Sequence, residues 1–498
     1  MTKDILDEAD ALLARGRPAE AEALTRPLAE AADAPHRALA THATALKALG
    51  RRDEALPFNE RAIERYATSG VAWHNYASTL GDMGKGAASI AACERAFALK
   101  LDAAETWAVY ARALLAVGER DRAEEAYRQS LARQPANVVT AAEYANVIWM
   151  RRGDLAEAER VIDACFRGGG HPGLLLSAKA KLYEASGDAA RSANLLAAGA
   201  ARIPGDPALL LSAAQAMVDV GRIADAEELT RRAELIAPAE SKVFNQWAIV
   251  HLAAGRPGEA LAKAREGLAL YPDDQSLWGW AATAARAAGD PLYGELCDYD
   301  QVVAAYDIAT PDGWTSLEAF LGDLAKSLNK LHGHVEHPTT QSLRHGSQTL
   351  YLLTGSDDPA IQAAFKAFDA PIRQHMARLG PGTDVLRRRN TGDYRFQGAW
   401  SVRLEPEGFH KDHFHPEGWL SSAFYVETPD AALDREDKEG WIRFGQPPVA
   451  ADPPLPAERY IRPKPGRLVL FPSYMWHGTV PFTTDEARMT IAFDVTPK

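Results

Sequence analysis

With 498 residues, 47% of them hydrophobic and 24% charged, the chain has material for two or three globular domains and is not composed like a disordered one. Its net charge of −12 argues against non-specific nucleic-acid binding, and no apolar run reaches the length of a membrane span. Cys93, Cys165 and Cys297 stand far apart and form neither a CxxC pair nor a disulfide framework, so a reducing, cytoplasmic setting is expected.

The start, Met1 to Glu8, is acidic and helix-patterned, unlike a signal peptide. A long repeat follows. Glycines recur at Gly16, Gly50, Gly84, Gly118, Gly153, Gly187, Gly221, Gly255 and Gly289, at intervals of 34 residues with a single 35. Five residues after each of the first eight stands an alanine or serine, from Ala21 and Ala55 to Ala226 and Ala260. Seven residues before most of them stands another alanine, such as Ala43, Ala77 and Ala214. The glycine ends one helix and allows the left-handed turn into the next; the small residues mark close helix crossings. Paired helices of this kind bury their apolar faces only by stacking on neighbours. The unit from Glu105 to Pro135 resembles the tetratricopeptide repeat through Trp107, Tyr110, Ala111, Gly118, Ala123, Tyr127 and Pro135. The expectation is an all-α solenoid over residues 1–290; either its concave face binds an extended peptide or partner protein, or the repeats are only a scaffold for oligomerisation or spacing. Tyr76, Tyr110, Tyr144 and Trp247 are candidates for that face, although aromatics at helical spacing more often belong to the core.

Residues 291–315 read as a junction. From Trp278 to Asp307 the repeat pattern weakens and Trp278, Trp280, Tyr293, Tyr299 and Tyr306 crowd the chain, which suits a last helix docking on another domain, and the turn cluster Ala309 to Trp314 ends the junction. Amphipathic helices are expected over 317–331 and 359–379. After residue 385 the apolar period changes to two. Segments 393–396, 399–404, 420–426, 440–444, 467–471 and 489–495 read as strands separated by Pro- or Gly-containing turns. Short strands behind a helical preface suggest a β-sandwich or jelly roll over 316–498.

Within that region, His410, Asp412, His413 and His415 fall within six residues, and His477 follows in Phe471–His477. On a regular strand His413 and His415 share one face, and His410 and Asp412 the other. Two ligand sets are therefore open: His413, His415 and His477, or His410, Asp412 and His477, the second matching a two-histidine, one-carboxylate triad. Arg488 and Thr490 share a face of the last strand, where a guanidinium can grip a carboxylate bidentately and a hydroxyl can add a third bond.

The stretches 408–426 and 463–482, with Gln341 to Thr349, resemble the 2-oxoglutarate- and Fe(II)-dependent oxygenases that carry tetratricopeptide repeats. The resemblance covers nearly the whole chain and extends more distantly to aspartyl/asparaginyl β-hydroxylases. It implies a double-stranded β-helix (jelly-roll) domain with flanking helices, Fe(II) as metal and 2-oxoglutarate as co-substrate. It also implies dioxygen as oxidant and a protein or peptide substrate. In the β-hydroxylases two histidines hold the metal and a glycine stands at the place of His415. This favours His413 and His477 as catalytic ligands, leaves His415 as third ligand or supporting group, and disfavours Asp412. Arg488 takes the role of the arginine that binds the distal carboxylate of the co-substrate. Ser401 matches a co-substrate-contacting serine across a one-residue gap, and Ser422 and Arg403 are weaker candidates. Arg344 and Gln348 are expected near the site. The alternatives are a non-catalytic repeat adaptor with a degenerate barrel, and a cupin-like metalloenzyme without redox chemistry.

Overall fold

The computed structural model describes residues 2–433, 435–451 and 454–498. By contact density the chain forms two compact units, residues 1–140 with 350–359, and residues 141–349 with 360–498. Up to Ala288 the secondary structure is helical throughout, in antiparallel pairs such as Gly70–Asp82 with Gly86–Ala98 and Ala104–Ala116 with Arg120–Arg133. All nine repeat glycines have positive φ, from 63° to 86°. The residues five positions later, Ala21, Ala55, Ser89, Ala123, Ala158, Ser192, Ala226 and Ala260, are fully buried where paired helices meet. Tyr110, Tyr144 and Trp247 belong to the buried core, and Tyr76 is half-buried.

An N-terminal tetratricopeptide-like solenoid is thus followed by a β-rich region, as expected. Its strands are β1 (Ala304–Asp307), β2 (Leu343–Gln348), β3 (Tyr394–His410), β4 (Leu420–Glu427), β5 (Ile442–Phe444), β6 (Arg459–Ile461), β7 (Arg467–Pro472), β8 (His477–Thr479) and β9 (Arg488–Pro497). One six-stranded sheet runs β1-β7-β4-β9-β3-β2 and a three-stranded sheet runs β6-β5-β8. Every pairing is antiparallel, consistent with a jelly roll. Helices Leu317–Leu331 and Pro359–Leu379 flank the larger sheet. Phe368 of the second stacks on Phe493 at 5.2 Å and meets Phe424 at 4.7 Å, so this helix seals one face of the β4–β9 pair. The other face is left for polar work: along β9, Arg488, Thr490 and Ala492 line a cavity while Met489, Ile491 and Phe493 enter the core. Among the described residues no helix is long and apolar enough to cross a membrane, and the three cysteines are free thiols.

Candidate metal centre

β3 ends at His410, and the chain past it forms only an isolated antiparallel bridge between His413 and His477. His413 N donates to His477 O and His477 N donates to His413 O, each at 2.9 Å. A reciprocal pair of this kind brings two strands together and points both side chains to one face. The His413 and His477 rings lie 4.2 Å apart. His415, two residues on, takes the same face, with its N–H donating to Ser473 O at 2.9 Å. One nitrogen from each of the three rings lies within 4.8 Å of the others.

The hydrogen bonds fix which nitrogen that is. His413 Nδ1–H donates to Lys411 O at 2.8 Å, and His477 Nδ1–H donates to Met475 O at 3.0 Å. His415 Nδ1–H donates to the Asp494 carboxylate at 2.6 Å, and the same oxygen accepts from Ser421 Oγ at 2.6 Å. A carbonyl or carboxylate oxygen only accepts, so each ring carries its proton on Nδ1 and leaves a lone pair on Nε2, that of His413 also lying 3.1 Å from the Ser342 hydroxyl. Nε2 of His413 and of His415 stand 3.2 Å apart. Two nitrogens bound at right angles to one ion at metal–imidazole distances would be about 3 Å apart. Burial holds the His413 imidazole down to about 3, helped by the charge of His415, and pushes His477 well below its usual range. The neutral form that a metal ligand requires is therefore favoured at His413 and His477, and the donor set fits a transition-metal ion.

The rival carboxylate is committed elsewhere. Asp412 accepts two bonds from Arg443, Nε at 2.9 Å and Nη2 at 2.7 Å, and His410 Nδ1 meets Ser342 Oγ at 3.0 Å. In the same cavity Arg488 is buried to 2% exposure, and its Nε has no hydrogen-bond partner. Among the described residues no carboxylate pairs with it; the Tyr425 ring lies 5.0 Å from its guanidinium carbon. Burial lowers its pKa, a penalty that a bound anion would relieve.

Residues 398–494 match the model of the family described as "Putative 2OG-Fe(II) oxygenase", and residues 104–137 match a tetratricopeptide repeat. The chain carries a domain of that oxygenase family and a tetratricopeptide repeat. No curated protein matches it. Among solved structures it is similar to yeast Tom70, at 13% identity over 57% of this chain and 61% of that one, with a TM-score of 0.43. It is also similar to a chain of the APC/C hetero-tetramer Cut9-Hcn1, at 16% identity over 56% of this chain, with a TM-score of 0.34. The present chain spans only 55% of that one. A third is YrrB, a TPR protein with an unusual peptide-binding site, at 15% identity over 37% of this chain and 95% of that one, with a TM-score of 0.26.

The β-rich region brings some of the expected residues together and separates others. Thr490, Ser422 and Gln348 line the cavity with the histidines and Arg488. The Ser422 hydroxyl is engaged by the sheet, donating to Phe493 O at 2.9 Å. Ser401, expected beside the co-substrate, does not line the cavity. On β3 its neighbours Trp400 and Val402 face inward, so alternation turns Ser401 away, to His332 Nε2 at 3.0 Å and Thr490 O at 3.0 Å. Arg403 is paired with Glu405, and Arg344 Nη1 donates to Gln341 O and Leu343 O. Sequence reasoning missed Asp494, which orients His415. Its signal was a lone carboxylate in an apolar strand, in phase with Arg488 and Thr490. It also missed Ser342 and Trp400, whose positions follow from pairing that periodicity does not show.

Proposed function

We propose that the chain is an Fe(II)- and 2-oxoglutarate-dependent dioxygenase that hydroxylates a protein or peptide recruited by its repeats. In this reading residues 1–290 recruit, 291–315 join and 316–498 catalyse, in the reducing setting that the free thiols suit. The observation that carries it is one cavity holding three converging imidazole Nε2 atoms and a buried, uncompensated guanidinium. His413, His415 and His477 would hold the metal, with Lys411 O, Met475 O and Asp494 keeping the three lone pairs inward. Arg488 would grip the far carboxylate of the co-substrate, with the Thr490 hydroxyl beside it on the same strand face. Trp400, Val402 and Ile442 give the cavity apolar wall, which limits water around the reacting groups. Bound iron(II) supplies coordination positions and the redox chemistry that couples dioxygen and 2-oxoglutarate to hydroxylation, with succinate and carbon dioxide as co-products.

His413→Ala and His477→Ala are each expected to abolish iron-dependent formation of succinate from 2-oxoglutarate. Wild-type rates in either variant, with iron supplied, would remove the mechanism. A second reading has one specific support: the ligand group is all imidazole with no carboxylate, a donor set that zinc also accepts. Anaerobic titration with 2-oxoglutarate separates the two, because the Fe(II)–2-oxo acid chelate absorbs in the visible and a zinc complex does not.

A further inference from the structure

Alternation places a second set of residues behind the histidines. Phe414 lies between His413 and His415, and Trp476 precedes His477; both point away from the cavity. They meet one helix, Gln275–Ala288, the last long helix of the solenoid. The Trp476 ring lies 4.8 Å from that of Trp280 and 4.4 Å from Phe414, and Phe414 lies 6.3 Å from Trp280. Trp476 Nε1 donates to Thr283 Oγ1 at 2.7 Å, and that hydroxyl donates to Gly279 O at 2.9 Å. A Cβ on Gly279 would stand 3.0 Å from Tyr474 O and 3.1 Å from the Phe414 ring, so even a methyl group there would press these neighbours back by a few tenths of an ångström. One turn further on, Arg286 Nη1 donates to Gly445 O at 2.8 Å, and Gly445 N donates to Trp476 O at 2.9 Å.

Among the described residues no regular ladder joins the two ligand segments: they meet through the isolated bridge at His413 and His477 and the single bond from His415 N to Ser473 O. Their relative placement needs a further support, and both grip the same helix from behind. We infer that the helix Gln275–Ala288 is a positioning element of the metal centre: Gly279, Trp280 and Thr283 hold Phe414 and Trp476 so that the histidine Nε2 atoms converge. The inference rests on the metal-site reading above. It makes metal affinity a property of repeat and barrel together, with Thr283 acting through Trp476 on His477.

The test uses the full-length, metal-stripped protein titrated with Co(II), followed by its visible absorption. Thr283→Val keeps the shape and removes the acceptor of the Trp476 indole. It should weaken Co(II) binding about tenfold, the low end of what outer hydrogen-bond partners of metal ligands contribute, and shift the Co(II) bands. Thr283→Ser, which restores a hydroxyl, should recover both. The control is Thr230→Val: Thr230 is equally buried in a repeat helix, but its hydroxyl donates only to Ala226 O within that helix, at 2.7 Å. That variant should leave affinity and spectrum unchanged. Equal Co(II) affinity and spectrum in Thr283→Val and wild type would overturn the inference, as would equal losses in both valine variants. Wild type that binds Co(II) but fails to turn over 2-oxoglutarate with iron would sink the oxygenase reading and leave this inference standing. Wild type that binds no Co(II) would end both.

Discussion

Arg488 sits at 2% exposure on β9 with no carboxylate beside it among the described residues, and its Nε is unbonded. A buried cation in this state costs stability, and a fold keeps such a cost where a ligand offsets it. Two opposite effects are therefore expected from Arg488→Met, which keeps the length of the side chain and removes the charge. The metal-free protein should melt at a higher temperature, because an uncompensated charge has been replaced by an apolar chain. Affinity for 2-oxoglutarate should fall by about 2–3 kcal/mol, roughly 30- to 150-fold, the loss expected for hydrogen bonds to a charged group. Calorimetric melting and a 2-oxoglutarate titration check the two halves. A variant that melts lower and still binds the co-substrate would show that Arg488 is structural. At this scale the histidines were legible because their types and spacing are rare. Ser401 lies on the opposite strand face from Trp400 and Val402, and face is the property hardest to read across a gap, because a shift of one residue inverts it.

Elements were read best where one period runs long. Helices Leu317–Leu331 and Pro359–Leu379 fall where the apolar spacing put them, and the six expected strand segments lie within or across β3, β4, β5, β7 and β9. The strands β1, β2, β6 and β8 were not legible. They are three to six residues long, and β2 and β8 contain glycine and histidine in place of an apolar alternation. Pairing partners impose their extended form, and a partner is a non-local fact. The repeat beat was legible for a local reason: each glycine answers a backbone demand. Gly221 has φ +75°, and a Cβ there would meet nothing within 4 Å. Gly221→Ala therefore isolates the conformational cost, which should be about 1 kcal/mol and appear as a lower urea midpoint with metal affinity unchanged. Wild-type stability would mean that the turn adapts without strain, and the glycine rhythm would need another cause.

The molecule as a whole should be acid-sensitive even where its metal chemistry plays no part, because it buries histidines outside the candidate ligand set. His375, in the helix Pro359–Leu379, is fully buried; its Nδ1 lies 3.1 Å from Tyr306 Oη and its Nε2 has no partner. Burial lowers its pKa to about 4, with a smaller push from the charge of Arg378. In the unfolded chain the same ring titrates near 6.5. Between those values the unfolded state binds a proton that the folded state refuses, so stability rises with pH and is lost as pH falls from about 6.5 towards 4. A shift from 6.5 to about 4 corresponds to roughly 3 kcal/mol at about 1.4 kcal/mol per unit. His375→Gln keeps an acceptor for the Tyr306 hydroxyl and removes the titration. Urea unfolding of the metal-free protein from pH 7 to pH 4.5 should show a slope shallower by up to one proton in the variant than in the wild type. His413, His477 and His337 remain in both chains, so their contributions cancel in the comparison. Parallel pH profiles would mean that His375 already takes up its proton in the folded state, and the acid sensitivity would have to come from the other buried rings.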